Sequence, residues 1–113
     1  MAMTLDDVRR CALSWPEAVE QPHFDFTSFR VRGRIFATVP PQHDHVHLFV
    51  DEAVREQTLA MYPRWAHKLW WGSKVAGLRI ELAGAAPEIV ESLLEHAWIH
   101  KAPAALRRSG PAR

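Results

Sequence analysis

The chain has 113 residues, with 14 Lys and Arg against 13 Asp and Glu and a formal net charge of +1. This length predicts one domain with its own hydrophobic core, and this charge excludes attraction of the whole molecule to nucleic acid. A single cysteine, Cys11, excludes an internal disulfide, and the sequence shows neither a signal peptide nor a run of ~20 apolar residues, so we expect a cytoplasmic protein outside the membrane.

The first half of the chain predicts a helix and three strands. Thr4 and Asp7 have the spacing of a capping box, and apolar residues at helical intervals predict a helix over residues 5–15. A turn-prone stretch follows, over residues 16–22. Alternating patterns then predict a β-hairpin formed by residues 24–31 and 34–39, and a third strand over residues 46–50.

The second half predicts another helix, one or two strands and a closing helix. Asp51 can cap a helix that ends near Met61. Residues 65–75 are open to two interpretations, a short strand or an aromatic loop. Alternation over residues 78–82 predicts a strand, and Pro87 stands at the start of a helix with one apolar stripe.

This order, α-β-β-β-α-β-β-α, predicts an α+β fold of two layers. Short hairpin loops imply an antiparallel sheet, and helices with a single apolar stripe need a sheet face to cover. We therefore expect a two-layer sandwich with the helices mainly on one face. Residues 1–103 form the predicted domain, and residues 104–113, which are rich in small, proline and basic residues, are expected to be a flexible basic tail.

The basic residues are concentrated in short runs along the chain. Three arginines surround Gly33 at the tip of the predicted hairpin, and a second basic run precedes the last strand. Cations at a hairpin tip suit the phosphate backbone of a nucleic acid. The predicted nucleic-acid contacts are Arg30, Arg32, Arg34, Lys68 and Lys74.

The predicted hairpin also carries an aromatic pair. A two-residue turn at Arg32–Gly33 would set Phe29 opposite Phe36, on the sheet face away from the helices, although a slip of one residue would exchange the faces. Such a pair stabilises a sheet by packing, is buried by a partner subunit, or gives a stacking platform for single-stranded nucleic acid. The alternative function is therefore a protein-interaction or dimerisation module that buries Phe29 and Phe36.

The seven histidines do not predict a metal site. His43, His45 and His47 alternate on one strand, but the outer two are ~13 Å apart, too far for one ion that holds each nitrogen at about 2 Å. His96 and His100 lie one helical turn apart without the glutamate of a zincin motif. We predict no metal, no cofactor and no catalytic residues. A third hypothesis is a ligand groove lined by the tryptophans at positions 65, 70 and 71.

Short motifs along nearly the whole chain resemble the MmcQ/YjbR family. They are Asp6-Asp7-Val8-Arg9 before a proline-containing turn, the hairpin FRVRGRIFA at residues 29–37, the strand GLRIEL at residues 77–82, and Glu95-His96-Ala97-Trp98 followed by Lys101-Ala102-Pro103. The resemblance implies a compact α+β domain related to secretion-chaperone-like and frataxin-like folds, and a double-wing DNA-binding role without catalytic residues.

On that role, Arg32 and Arg34 occupy wing positions, whereas Trp70-Trp71 departs from the tyrosine and glycines that relatives often have at the second wing. The expected function is that of a small non-enzymatic binding domain with DNA as its partner. A protein, or a second copy of this chain, is the alternative partner.

Overall fold

The computed structural model describes residues 2–109, which form one six-stranded antiparallel sheet and the helices that pack on it. The strands lie in the order β1-β2-β3-β4-β6-β5. The α+β class and the predicted order of elements are confirmed. The elements are α1 (Leu5–Ala12), β1 (Ala18–His23), β2 (Phe26–Val31), β3 (Arg34–Val39), β4 (His45–Leu48), α2 (Glu52–Met61), β5 (Ala66–Trp71), β6 (Lys74–Glu81), α3 (Pro87–Lys101) and α4 (Ala104–Ser109).

Two segments form regular secondary structure although the sequence did not predict a strand or a helix there. Strand β1 lies in the stretch predicted to be a turn, and Pro22 is tolerated there because β1 is at the edge of the sheet, where a missing N–H is harmless. Helix α4 occupies residues 104–109 of the predicted tail, and Leu106 joins the core. The other residues of that tail, 110–113, lie outside the described residues.

Helices α1 and α2 begin at the capping residues that the sequence predicted. The Thr4 hydroxyl accepts a hydrogen bond from the Asp7 N–H at 3.2 Å, and the Asp7 carboxylate accepts one from the Thr4 N–H at 2.9 Å, so the capping box is present. The Asp51 carboxylate accepts a hydrogen bond from the Val54 N–H at 2.9 Å and caps α2. No helix within residues 2–109 is both long and apolar enough to cross a bilayer.

The core lies between the helices and one face of the sheet. Trp98 on α3 is fully buried there, and its indole N–H donates a hydrogen bond to the carbonyl of Pro16 at 3.0 Å. This bond satisfies the one polar atom of a large buried ring and connects α3 to the loop between α1 and β1. The core cluster includes Val8 of α1, Leu94 of α3 and Ile80 of β6.

Hairpin β2–β3 contains a β-bulge, so its strands pair in a different register from the predicted one. Arg30 pairs with Ile35, but the register then shifts, and Phe29 pairs with Ala37 instead of Phe36. Phe36 is thus the extra residue, and a bulge lets two consecutive side chains point to the same face. Phe29 and Phe36 both lie in the core with no exposed surface. The predicted interface that buries these two rings against a partner is therefore wrong.

The close approach of β4 and β6 depends on Gly77. A Cβ atom there would overlap the carbonyl oxygen of Leu48 and lie 3.4 Å from the Phe49 ring. We expect Gly77→Ala to destabilise the domain by roughly 1–3 kcal/mol, because backbone cannot move as a flexible side chain can. Urea denaturation measures this. Gly84→Ala is the control, since its nearest neighbour would be at 3.4 Å, and equal midpoints for the two variants would contradict the account.

Candidate nucleic-acid interface

Two hairpins project beyond the end of the central strand. Strand β4 ends at Leu48, which pairs with Ala37 on one side and Leu78 on the other. Hairpins β2–β3 and β5–β6 continue past this level to their turns. Since neighbouring strands are antiparallel, both turns lie at the same end of the sheet, beyond the last residue of β4. We call residues 30–36 the first arm and residues 69–77 the second arm.

A cleft separates the two arms. Strands β3 and β6 are two strand spacings apart, about 10 Å. Phe49, the residue after β4, forms its floor and is 8% exposed, and its ring centroid lies 5.8 Å from that of Trp71. The cleft opens into a groove of about 1040 Å³, which extends past Phe26 and His47 over the sheet face away from the helices.

Three cations from separate elements line this groove. Arg34 begins strand β3 in the first arm, Lys74 begins strand β6 in the second arm, and Lys101 is the last residue of α3. Burial and the nearby Arg34 guanidinium lower the pKa of Lys101. Burial, and then Lys101, lower the pKa of His100, whereas Asp51 acts in the opposite direction. Positive charge is therefore concentrated where the first arm meets the end of α3.

Arg32 is at the tip of the first arm but is paired with an acid. Its guanidinium donates to the two carboxylate oxygens of Glu17 at 2.5 and 2.8 Å. This bidentate pair raises the pKa of Arg32 and lowers that of Glu17. The two charges compensate each other locally, so the predicted wing residue Arg32 adds little net charge to the tip.

The other two predicted contacts lie outside the groove lining. Arg30 is half-buried, and its Nε donates to the Ser28 hydroxyl at 3.0 Å. The ammonium of Lys68 lies 5.7 Å from the centroid of the Trp70 ring, in cation–π geometry. Of the five residues predicted to contact nucleic acid, the structure brings Arg34 and Lys74 together at the groove.

Sequence reasoning missed Lys101 and Phe49 as parts of this site. Lys101 lies 67 positions after Arg34 in the sequence, and the two side chains come close together only because α3 packs on β3. Phe49 continues the apolar run that starts at Leu48, so it resembles a core residue in the sequence. A weak signal existed for Phe49, because the alternation of Val46 and Leu48 sets position 49 on the opposite face.

His47 of β4 and His67 of β5 are each hydrogen-bonded to a side chain of a neighbouring strand. The side chains of His47 and Thr38 are hydrogen-bonded, with 3.3 Å between His47 Nδ1 and Thr38 Oγ1, and His67 is hydrogen-bonded to Glu81. Burial, followed by the charge of Arg79, lowers the pKa of His47 from 6.5 to about 4. Within residues 2–109, no three His, Cys, Asp or Glu side chains form a group able to hold a metal ion.

We expect His47 to stay neutral at pH 7 and to titrate near pH 4. Between pH 6.5 and about 4 the unfolded chain binds a proton at His47 that the folded chain does not, so the free energy of unfolding should fall as the pH falls through this window. NMR titration of the imidazole C–H signals measures the pKa. Arg79→Gln should raise it only in part, because burial is the larger cause, and a titration near pH 6.5 in the unmodified protein would contradict the assignment.

Comparisons with known proteins agree with the fold. The crystal structure of DR2400 from Deinococcus radiodurans, which carries the domain DUF419, is similar with a TM-score of 0.79 and 21% sequence identity, over 96% of this chain and 88% of that one. At this identity the likeness shows the fold. No curated protein matches the sequence. The model of the YjbR family matches residues 13–100, and the chain therefore belongs to the YjbR family.

Proposed function

We propose that this protein is a small nucleic-acid-binding domain that holds the phosphate backbone at the cleft between its two arms. One observation carries the proposal: Arg34, Lys74 and Lys101 come from three different elements and line the same groove as the exposed rings of Trp70 and Trp71. The proposed role is binding without a catalytic step, in the cytoplasmic setting predicted from the sequence.

The charge distribution supports a local site. The chain has a net charge of only +1, so long-range attraction of the whole molecule is weak. Screening at physiological salt also limits interactions to about 8 Å. The cations that matter are therefore those at the cleft, where a phosphate can approach Arg34 and Lys101 together. Such contacts give affinity with little base specificity.

The two arms correspond to the wings of the expected double-wing role. The first arm contributes Arg34, the first residue of β3, rather than Arg32 in the turn, because Glu17 neutralises Arg32. The second arm contributes Lys74 and the two tryptophans that depart from the usual family pattern. On this proposal both wings contact the same ligand from opposite sides of the cleft.

The salt dependence of binding tests the proposal. Fluorescence anisotropy with a labelled DNA, single-stranded and duplex forms measured separately, gives the slope of log K against log salt concentration. Each of Arg34→Gln, Lys74→Gln and Lys101→Gln should reduce the magnitude of this slope by about 0.7–0.9, because each removes one phosphate contact and the counterion that it releases.

Arg32→Gln is the matched control, because it removes the same unit of charge from the same hairpin. We expect it to leave the slope almost unchanged, since Arg32 is already paired with Glu17. A slope reduced as much by Arg32→Gln as by Arg34→Gln would contradict the proposal. So would the absence of any DNA binding at low salt.

A further inference from the structure

We propose that the cleft takes a single strand of nucleic acid, with an unpaired base stacked on Trp71 and its phosphate at Lys74. This inference rests on the proposed function and specifies the form of nucleic acid that the site accepts. It follows from three features of the second arm and the cleft: the exposed rings, the pairing of Trp71 with Lys74, and the width between the arms.

The tryptophan rings are exposed although they are large and apolar. Trp70 is 54% exposed and Trp71 is 67% exposed, on neighbouring positions at the end of β5. The Trp71 ring contacts Phe49 at the floor of the cleft, which holds it in place while most of its surface stays free. An exposed aromatic ring supported from one side is the arrangement that stacks bases in single-strand binders, and such stacking is tolerant of sequence.

The position of Lys74 matches a phosphate next to a stacked base. Trp71 and Lys74 are the last pair of hairpin β5–β6, so their Cβ atoms are about 5 Å apart. Both side chains line the groove. One nucleotide can therefore place its base on Trp71 and its phosphate at the Lys74 ammonium, while the next phosphates reach Arg34 and Lys101 across the cleft.

The width of the cleft favours one strand over two. Strands β3 and β6 lie about 10 Å apart, and their side chains narrow this gap further. A DNA duplex is too wide to enter this gap, since its major and minor grooves, about 8.5 and 7.5 Å deep, lie on opposite sides of the base pairs and together already exceed the gap. A base paired within a duplex is also stacked between its neighbours and offers no free face to Trp71. A single strand meets neither obstacle.

The wild-type protein provides the first test, with four probes in the same anisotropy competition at low salt. The probes are a short oligothymidylate, a duplex of equal length, an abasic strand of equal length, and thymidine monophosphate. We expect the oligothymidylate to bind roughly tenfold or more tighter than the abasic strand, which has the same phosphates but no bases. It should also bind more tightly than the duplex and the monophosphate.

Variants provide the second test. Trp71→Ala should weaken oligothymidylate binding by roughly tenfold or more and leave abasic-strand binding unchanged, and Trp71→Phe should restore most of the loss because a phenyl ring still stacks. Met61→Ala is the control for loss of an exposed apolar side chain, as Met61 is 57% exposed on α2 and lies outside the groove lining. It should bind every probe as the wild type does.

The outcomes separate this inference from the proposed function. Equal affinity for the oligothymidylate and the abasic strand, with binding that still depends on Arg34 and Lys74, would overturn single-strand stacking and leave the proposed function standing. Preference for the duplex, or for the monophosphate, would overturn the inference in the same way. Failure of all four probes to bind at low salt would overturn the proposed function, and the inference with it.

Discussion

The bulge in hairpin β2–β3 is the constraint on which the site depends. In a regular strand, Ala37 in the core would direct Arg34 to the opposite face, because side chains alternate. The bulge places Phe36 and Ala37 together in the core and reverses the alternation beyond them, so that Arg34 lies on the same side of the strand as Phe36, opposite the buried Val31. Arg34 thereby comes near Lys101 at the end of α3. The bulge therefore both buries Phe36 in the core and brings Arg34 to the side of the cleft where Lys101 lies.

Two cations lie close together at the cleft, an arrangement that a phosphate bound as proposed would stabilise. Burial and then the charge of Arg34 lower the pKa of the half-buried Lys101, as expected for two neighbouring cations that repel each other. A bound phosphate between them would replace this repulsion with two attractive contacts. By contrast, Arg32 has its counterion in Glu17 and gains less from a phosphate. The cations at the cleft therefore have more to gain from a bound anion than a cation that already has a counterion.

Much of the fold follows from local sequence signals, whereas the site follows from tertiary contacts. The capping box at Thr4, the alternation of Leu78 and Ile80, and Pro87 at a helix start each act within a few residues, and the structure has the elements that they predict. The bulge at Phe36 has no such signal, because both faces of the hairpin carry apolar residues and either register buries some of them. Lys101 likewise gains its neighbour only through the packing of α3 on β3.

The aromatic pair that the sequence suggested as a stacking surface is buried, whereas two tryptophans that the sequence suggested as walls of a ligand groove are exposed. Phe29 and Phe36 are core residues, and the exposed rings belong to the second arm at Trp70 and Trp71. Chemical-shift mapping by NMR during titration with oligothymidylate locates the contact surface most directly. We expect the largest changes at the Trp71 indole N–H and at the backbone amides of Arg34 and Lys74. Changes confined to residues outside the cleft, such as Met61 on α2, or no changes at low salt, would contradict this proposal.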